Sequence, residues 1–492
     1  MAKTAAALYI TRDIRLCERL AVDKFGFTEE ELMERAGAAA FNVIRSIYPQ
    51  ARSIAVFCGG GNNGGDGYVV ARLAQQNGIS VIVYQDKAIE DLPPTARYAA
   101  SLAIAAGVSC QSFDDSLDDD VDLIVDGLLG IGLQGDVHHS IAQVINLIND
   151  SGLPVLSLDV PSGLNADTGC VLGVCIHADV TVTFIAPKIG LFTLDGPEYC
   201  GKVICHDLQL GQCLANMSPT AYQLDGQQLR KTIRPRNKNS HKGMYGHVLI
   251  IGGGPGMPGA AHMAASAALR VGAGVVTVAT WPKHAGGVLP LLPEAMIYAI
   301  HDVEELFPLL ARATVGVIGP GLGEDAWAKQ LFSVAVAAQL PLVIDASALR
   351  LLARSPQKDD NWILTPHPGE AAALLACSVT EIQADRCKAA RLIQQKYGGS
   401  VILKGVGTII NIGAQEAYVC TAGNPGMASA GMGDILSGAI GGLLAQKIQL
   451  ADAARLGVWL HAVAGDDAAT EKGERGLLAS DLIPYLQRRI ND

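Results

Sequence analysis

The sequence is poor in aromatic residues and in charge. Phe, Trp and Tyr together make up 5% of the 492 residues, and Asp, Glu, Lys and Arg make up 17%, against a usual charged share of about 25%. So low a charge excludes a disordered, strongly solvated chain. So few aromatic residues argue against a β-sandwich with an aromatic core.

Long hydrophobic runs are lacking as well. A membrane-spanning helix needs roughly 18 or more apolar residues, whereas one of the longest apolar stretches covers only residues 435–445. The opening segment, residues 1–17, contains Arg12 and Asp13 and does not have the profile of a signal peptide. We therefore expect a cytoplasmic protein without a membrane partner.

The cysteines and the charge exclude two further classes. The eleven cysteines are odd in number and contain no C-x-x-C pair, which argues against a disulfide scaffold and indicates reduced thiols in a cytosolic protein. The net charge is −11, so a basic face that binds nucleic acid is not expected as the main function.

Glycine is abundant, with 55 residues, and it separates short β-branched runs from longer helical ones. This alternation predicts an α/β protein with mostly parallel sheets, and the length suits about two to three domains. The pattern stops at residues 214–220 and restarts after the basic stretch 230–242. We therefore place a boundary near residues 212–222, between domains 1–215 and 222–492.

The predicted strands share a β-branched, apolar composition. In the first half they cover residues 53–58, 80–84, 122–126, 155–159, 180–184 and 202–205. In the second half they cover residues 247–251, 274–279, 315–318, 342–345, 362–364 and 401–404. A hairpin is predicted through residues 408–411 and 417–420, with helices from about residue 434 onward.

A glycine-asparagine loop follows the first predicted strand. Residues 59–67 read G-G-G-N-N-G-G-D-G and open a helix. In such a loop, glycines let the backbone approach a phosphate, and free N–H groups at the helix start point at it. The alternative is a tight turn that binds no ligand, but five glycines and two asparagines in residues 59–66 exceed what a turn requires.

Three aspartates lie at or beside strand ends of the same predicted sheet: Asp66, Asp126 and Asp159. Ligands of open α/β sheets gather outside the carboxyl ends of the strands, so we expect these carboxylates to converge on one crevice. A single one would more often be a helix cap or a turn former. Three of them together favour a site.

These segments resemble a known family. The loop G-N-N-G-G-D at 61–66, the segment V-D-G-L-L-G-I-G-L-Q-G at 125–135 and L-D-V-P-S-G at 158–163 are similar to the N-terminal epimerase domain of the bifunctional NAD(P)H-hydrate repair enzymes. The resemblance runs from residues 15–37 to about residue 212. It implies a Rossmann-like three-layer domain.

The resemblance also implies site residues. It implies that the substrate is bound by Asn62, Asn63, Gly64, Gly65, Asp66, Gly130, Ile131, Gly132, Leu133, Gln134, Gly135, Asp136 and Asp159. It implies that Asn63, Asp126 and Ser162 hold a potassium ion. Gln134 stands where a basic residue is common in the family, so charge pairing with a substrate phosphate has to come from another residue.

The epimerase chemistry needs little from the protein. The hydroxyl of a hydrated nicotinamide sits on a carbon bonded to the ring nitrogen, whose lone pair helps to expel hydroxide or open the ring. We assign the assisting acid/base role to Asp159, with Lys188 as its candidate partner. The alternative for Lys188 is a solvated loop lysine.

A second glycine loop precedes an apolar helix near the C-terminus. Residues 424–434 read N-P-G-M-A-S-A-G-M-G-D. Gly431 and Gly433 would expose backbone N–H groups that stabilise a transferring phosphoryl group. Asp434 would accept the proton of the attacking hydroxyl. The alternative is that Asp434 only interacts favourably with the helix dipole.

Further loops of the second half end strands. T-P-H-P-G-E at 365–370 fixes His367 between two prolines, and K-G-V-G-T at 404–408 suits a nucleotide phosphate or ribose. Together with the loops 252–261 and 319–323, these motifs resemble the ADP- or ATP-dependent NAD(P)H-hydrate dehydratase of the ribokinase-like superfamily, over roughly residues 224–490.

This second resemblance implies its own site. Ala260, Gly323, His367 and Asp434 would face the substrate, and the adenine nucleotide would contact Lys404, Gly405, Val406, Gly407, Thr408 and Gly433. Such enzymes use Mg²⁺, held here mainly by phosphates and water because no dedicated carboxylate cage is visible. Long fused chains of the family generally use ADP, but the sequence itself does not separate ADP from ATP.

The leading hypothesis is therefore a bifunctional repair enzyme. Its first half would interconvert the R and S forms of hydrated NADH and NADPH (NADHX and NADPHX), and its second half would dehydrate the S form while ADP is converted to AMP and phosphate. One alternative is a vitamin or sugar kinase with a regulatory N-terminal domain. Another makes the first half a non-catalytic nucleotide sensor or protein-binding module. The amphipathic segment 15–37 suits a subunit contact, and we expect a homo-oligomer.

Overall fold

The structure, a computed structural model, describes residues 6–113, 117–118, 120–215, 217–288, 292–413 and 416–492. They form two compact units, residues 6–221 and residues 222–492. Both units consist of α-helices around a mainly parallel sheet, which confirms the predicted α/β class.

The strands of the first unit are β1 Ala7–Leu8, β2 Ser53–Cys58, β3 Ser80–Gln85, β4 Ser109–Ser112, β5 Leu123–Gly127, β6 Val155–Leu158, β7 Val180–Phe184 and β8 Lys202–His206. Its helices are α1 Thr11–Phe25, α2 Glu29–Ile47, α3 Asn62–Gln76, α4 Pro94–Ala105, α5 His139–Asp150, α6 Gly196–Tyr199 and α7 Gly211–Leu214. The sheet order is β4-β3-β2-β5-β6-β7-β8, and neighbouring strands run parallel.

This sheet is covered on both faces, as strand β2 shows. Ile54 and Val56 belong to a core that α1 to α4 complete, whereas Ala55 and Phe57 belong to a second core that contains α5. Because successive side chains of a strand point to opposite faces, a strand buried on both sides reads as an unbroken apolar run. The predicted three-layer arrangement is confirmed.

The segment 15–37 contains parts of two helices rather than one. Gly26 ends α1 in the left-handed region, with φ of 75°, and Thr28 begins α2. The Thr28 side chain accepts a hydrogen bond from the backbone N–H of Glu31, whose carboxylate accepts one from the Thr28 N–H. This capping box satisfies two N–H groups that the helix start leaves free.

The strands of the second unit are β9 Ala221–Gln223, β10 His247–Ile251, β11 Val275–Thr280, β12 Met296–Ala299, β13 Val315–Ile318, β14 Leu342–Ile344, β15 Trp362–Leu364, β16 Ser400–Leu403, β17 Thr408–Ile412 and β18 Glu416–Cys420. Strands β12, β11, β10, β13, β14, β15 and β16 are successive parallel neighbours. The predicted hairpin is present as the antiparallel pair β17–β18, which continues the sheet beyond β16.

The helices of the second unit are α8 Gly226–Arg230, α9 Pro258–Arg270, α10 Ala285–Val288, α11 Phe307–Leu310, α12 Ala326–Ala337, α13 Ala346–Arg354, α14 Pro368–Leu375, α15 Val379–Ala384, α16 Arg386–Tyr397, α17 Met432–Ala445, α18 Leu450–Lys472 and α19 Leu482–Asn491. Helix α17 is buried along most of its length, as its apolar sequence predicts.

Helices α9 and α17 meet through small residues. A Cβ placed on Gly438 would lie 2.0 Å from the backbone oxygen of Ala264, and one on Gly442 would lie 2.6 Å from that of Ala268. Such distances are shorter than a carbon can approach an oxygen without a clash. Glycine is therefore required at both positions for the two backbones to meet.

The described residues contain neither a helix suited to span a membrane nor a disulfide. Among them, no helix combines the length and the hydropathy that crossing a bilayer requires. All eleven cysteines lie in the described ranges, and none of them forms a disulfide.

Candidate functional sites

Asp126, near the carboxyl end of β5, and Ser162, in the loop after β6, form a buried cluster. Asp126 Oδ2 accepts hydrogen bonds from Ser157 Oγ at 2.7 Å and from Ser162 N at 2.9 Å, and Ser162 Oγ donates to Asp126 Oδ1 at 2.5 Å. Burial raises the pKa of Asp126, while the hydrogen bonds from Ser162 oppose that shift. Asp126 therefore fixes the position of Ser162.

Asn63 lies beside this cluster, in the first turn of α3. Its Nδ2 donates to the Leu129 carbonyl oxygen at 3.1 Å, and Leu129 N donates to Ser162 Oγ at 2.8 Å. Asn63 Oδ1 is buried and has no hydrogen-bond partner among the described residues. A buried carbonyl oxygen without a donor is costly. With oxygen atoms of Ser162 and Leu129 nearby, this atom fits a cation such as potassium.

Asp159 and Lys188 form a buried ion pair. Lys188 is fully buried, and its ammonium donates to Asp159 Oδ1, to Thr183 Oγ1 at 3.0 Å and to the Phe184 carbonyl oxygen at 2.8 Å. All three ammonium donors are thereby used. The alternative of a solvated loop lysine is wrong.

The backbone of Asp159 lies in the left-handed region. Its φ is 65°, a conformation that Asn and Asp adopt more readily than other residues with a side chain. Asp159 N donates to the Val182 carbonyl oxygen at 2.8 Å, which holds this conformation.

Two more carboxylates interact with this pair. Burial, followed by the charge of Asp159, raises the pKa of Glu18 to about 7. Burial, followed by the charges of Asp159 and Glu18, raises the pKa of Asp66 well above its ordinary value. The structure thus brings Asp66 and Asp159 into one electrostatic cluster, whereas the hydrogen bonds of Asp126 go to Ser157, Ser162 and Leu128.

The glycines of the 59–67 loop allow close backbone contacts. A Cβ on Gly59 would lie 1.8 Å from the Leu128 carbonyl oxygen, and a Cβ on Gly64 would lie 2.0 Å from that of Gly59. Packing therefore accounts for these two glycines without a ligand. Gly61, which precedes α3, would place its Cβ in open space, and Asn62 is exposed. These two positions leave the start of α3 accessible.

The 130–136 loop follows β5 and is largely exposed. Gly130 lies against Asn63, since its Cβ would be 3.2 Å from Asn63 Cβ. The Arg15 guanidinium of α1 donates from Nη2 to the Ile131 carbonyl oxygen at 3.3 Å. The 130–136 loop therefore contacts both Asn63 and helix α1.

In the second unit, Lys404 connects the ends of three strands. It follows β16, and its Nζ lies 2.9 Å from Oδ1 of Asp345, which follows β14. It also lies 3.8 Å from Oε2 of Glu370, in the loop-helix segment after β15. Burial disfavours the charged ammonium, but the charges of Asp345 and Glu370 outweigh it and raise the pKa of Lys404.

Asp434 lies in the first turn of α17, beside this network. Burial, followed by the negative charge of Asp345, raises its pKa to about 7, and the Lys404 charge opposes that shift. A Cβ on neighbouring Gly433 would lie 3.2 Å from Lys404 Nζ. A carboxyl group that titrates near neutrality at a helix N-terminus suits a general base.

His367 caps helix α14. Its Nδ1 accepts hydrogen bonds from Gly369 N at 3.0 Å and Glu370 N at 3.3 Å, and Glu370 Oε2 accepts one from His367 N at 2.8 Å. An imidazole whose Nδ1 accepts carries its proton on Nε2. The side chain is 48% exposed, and its Nε2 lies 3.3 Å from Glu370 Oε1, so the imidazole both caps the helix and pairs with Glu370.

The remaining predicted residues lie on loops or at the first residues of a helix or strand. Ala260 contacts the loop after β13, since the Cβ of Gly321 would lie 2.9 Å from that of Ala260, and Gly323 N donates to Ser347 Oγ at 3.3 Å. In the 404–408 loop, Gly405 has a φ of 136° and Val406 is exposed, while Thr408 Oγ1 donates to the Gly405 carbonyl oxygen.

Sequence reasoning missed several groups. Asp345 ends a predicted strand, so the strand-end rule that selected Asp126 and Asp159 would also have selected it. Glu18 and Asp466 lie on helices and give no local signal. Asp466 of α18 accepts hydrogen bonds from Gly423 N and Asn424 Nδ2, each at 3.0 Å, and so anchors the start of the 424–434 loop.

Both sites lie at the carboxyl ends of parallel strands, where open α/β sheets bind ligands, and the second places an acid beside glycines at a helix start. The fold and these sites define a two-unit α/β enzyme. A ribokinase-like superfamily protein from Enterococcus faecalis superposes with a TM-score of 0.52 and 30% identity, covering 56% of this chain and 97% of that one. The second unit has a ribokinase-like fold.

Family models match both halves. The NAD(P)H-hydrate dehydratase model matches residues 248–488, and the model described as YjeF-related protein N-terminus matches residues 29–190. A bifunctional NAD(P)H-hydrate repair enzyme from Coxiella burnetii is 50% identical, covering 98% of this chain and 99% of its own. Its Escherichia coli counterpart is 45% identical, covering 97% and 93%. The chain belongs to the family of bifunctional NAD(P)H-hydrate repair enzymes, which confirms the predicted family.

Proposed function

We propose that this enzyme repairs hydrated nicotinamide dinucleotides with two activities, an epimerase in residues 1–215 and an ADP-dependent dehydratase in residues 222–492. The observation that carries the proposal is Asp434, whose pKa burial raises to about 7 beside Lys404 at the start of α17. Membership of the repair family favours this function over a vitamin or sugar kinase.

In the dehydratase, Asp434 accepts the proton of the substrate 6-hydroxyl as that oxygen attacks the terminal phosphoryl group of ADP, or of ATP. AMP leaves when ADP is used. The first N–H groups of α17 have no intrahelical partner, and they stabilise the charge on the moving phosphoryl group. Phosphate then leaves carbon 6 as the C5 proton is lost, which restores the dihydronicotinamide. Hydroxide would be a much poorer leaving group.

Lys404 supplies positive charge at the same place. Asp345 and Glu370 hold its ammonium, and Gly433 leaves the ammonium room beside the helix start. We assign Lys404, Gly405, Val406, Gly407, Thr408 and Gly433 to the adenine nucleotide. We assign Ala260, Gly323 and His367 to the substrate.

Magnesium would neutralise phosphate charge in this reaction. The described residues contain no group of three or more His, Cys, Asp or Glu side chains that could hold a metal. This supports an ion bound mainly by the nucleotide phosphates and by water, as Mg²⁺ usually is at such sites.

In the epimerase, Asp159 exchanges a proton with the 6-hydroxyl of the substrate. The buried Lys188 is a positioning residue, because one of its donors goes to Asp159 Oδ1 while the other two, to Thr183 and Phe184, hold the ammonium in place. Potassium would be held by Asn63 Oδ1, Ser162 Oγ and the Asp126 carboxylate, and it would supply positive charge beside the 130–136 loop. We assign residues 62–66 and 130–136 to the dinucleotide.

The test uses purified protein with mixed epimers of NADHX, ADP, MgCl₂ and KCl, and follows the absorbance of the restored dihydronicotinamide. Recovery of both epimers is expected. Recovery that stops when the S epimer is consumed would overturn the epimerase, and a stable phosphorylated adduct would favour the kinase. Asp159→Ala should leave only the S epimer repaired. Full activity of that variant would favour the sensor alternative.

We also propose a cytoplasmic homo-oligomer that does not bind nucleic acid. Eleven cysteines without a disulfide suit a reducing compartment, and a net charge of −11 argues against a polyanion partner. Light scattering and a nucleic-acid gel-shift assay test the last two points.

A further inference from the structure

The epimerase site needs positive charge for a substrate that carries a diphosphate, and its loops supply little. Residues 130–136 contain Gln134 and the acidic Asp136 but no Lys or Arg. Lys188 is fully buried, and its three donors are used within the protein. The cation that meets the phosphates therefore has to come from outside these elements.

Arg15 lies against the loop in question. It projects from α1, is exposed, and donates from Nη2 to the Ile131 carbonyl oxygen at 3.3 Å. The same nitrogen would be 3.9 Å from a Cβ on Gly132, so the guanidinium lies over the backbone of the loop. This hydrogen bond occupies one of five donors, and an arginine binds a phosphate through two parallel ones.

Helix α1 connects the 130–136 loop with the Asp159–Lys188 pair. Glu18 follows Arg15 by three residues, so the two side chains lie on one face of the helix. Arg15 of this face contacts the loop that we assign to the dinucleotide, and the charges of Asp159 and Lys188, which we assign to the nicotinamide end, act on Glu18. The adenosine 2′-phosphate of NADPHX lies at the far end of the dinucleotide.

We infer that Arg15 is the residue that binds the diphosphate of the hydrated dinucleotide in the epimerase site. This inference rests on the proposed function of the N-terminal unit. Because the diphosphate is common to both substrates, Arg15 serves NADHX and NADPHX equally. It takes the role that uncharged Gln134 cannot fill.

Lys87 is the other exposed cation to be weighed. Its side chain crosses Gly60, whose Cβ would lie 2.5 Å from Lys87 Cδ. It borders the start of α3, and among the described residues no hydrogen bond or ion pair joins it to the 130–136 loop. We assign it a smaller share of phosphate binding.

The test measures interconversion of the epimers by chromatography, without ADP, at constant potassium concentration. In Arg15→Gln the KM for R-NADHX and for R-NADPHX should rise roughly tenfold, as expected for loss of a hydrogen bond to a charged group, with kcat little changed. Arg15→Lys should recover part of the loss. Added sodium chloride should raise the KM of the parent more steeply than that of Arg15→Gln.

Arg12→Gln is the matched control, since Arg12 is on the same helix with 80% of its side chain exposed, and its KM should equal the parent's. Hydrogen exchange in β5 and β6 equal to that of the parent shows that the first unit of Arg15→Gln is folded. A parent without epimerase activity would refute the proposed function. An active parent with an unchanged KM in Arg15→Gln would refute this inference alone. So would a loss confined to NADPHX, a larger effect in Lys87→Gln, or equal salt dependence in parent and variant.

Discussion

Asp434→Asn is the substitution that most directly tests the dehydratase site. Asparagine keeps the shape of the side chain but cannot accept the hydroxyl proton. Loss of a positioned general base lowers rates by about 10²–10⁴-fold, so kcat for S-NADHX should fall by that factor while epimerisation is unchanged. Asp452→Asn is the matched control, because Asp452 is also a first-turn acid, on α18, and should retain full activity.

The pH dependence follows from the raised pKa of Asp434. The base must be ionised to act, and a pKa of about 7 means that half is ionised at neutrality. Below pH 7, kcat/KM should fall about tenfold per pH unit. Asp434→Asn should lack this acidic limb.

The neighbours of Asp434 should move that limb in opposite directions. Lys404 lowers the pKa of Asp434 and Asp345 raises it. Lys404→Met should therefore shift the limb to higher pH by about one unit, and Asp345→Asn should shift it to lower pH. Initial rates of dihydronicotinamide formation between pH 5 and 9 measure all of these effects. An Asp434→Asn enzyme with parental rates would refute the reasoning. So would a shift of the acidic limb in the same direction in Lys404→Met and in Asp345→Asn.

Three further predictions concern the N-terminal unit. Lys188→Met leaves the buried Asp159 carboxylate without its countercharge and should destabilise the unit by about 3–5 kcal/mol. Hydrogen exchange in β6 and β7 measures this loss, and the exposed control Lys202→Met should cost less than about 0.5 kcal/mol. Equal effects of the two substitutions would contradict the buried pair. Asn63→Leu should abolish the activation of epimerisation by KCl, measured relative to choline chloride, and should leave dehydration intact. If the variant is still activated by KCl, Asn63 is not part of the potassium site. Gly64→Ala places a Cβ 2.0 Å from a backbone oxygen and should destabilise by about 1–3 kcal/mol in chemical unfolding, whereas Gly61→Ala has open space and should not; equal stabilities would contradict the close contact.

Much of the fold could be predicted because buried parallel strands are continuous apolar runs. The strands 53–58, 180–184, 247–251, 315–318 and 362–364 were predicted with the bounds that the structure shows, and most others within one or two residues. Strands β1, β4, β9 and β12 were missed because they have only two to four residues. Tertiary pairing, rather than composition, makes them strands.

Some residues of the candidate sites could likewise be predicted from the sequence, and others could not. Residues in glycine-rich motifs, such as Asp126 and Asp434, are visible in one sequence because the motif itself is unusual. Lys188, Asp345 and Glu18 acquire their roles from partners distant in the chain: Lys188 could equally have been a solvated lysine until its burial against Asp159 was seen. Such pairings depend on strand order, which local patterns do not encode.

The contact between α9 and α17 has a consequence for the spacing of their first turns. Ala264 and Gly438 lie one helical turn beyond Ala260 and Asp434 respectively, and there the two backbones touch. The spacing of the turns that carry Ala260 and Asp434 is therefore set by two of the smallest residues. A methyl group added at Gly438 would push the helices apart, so the position of the proposed base relative to α9 depends on a glycine that takes no part in the proposed chemistry.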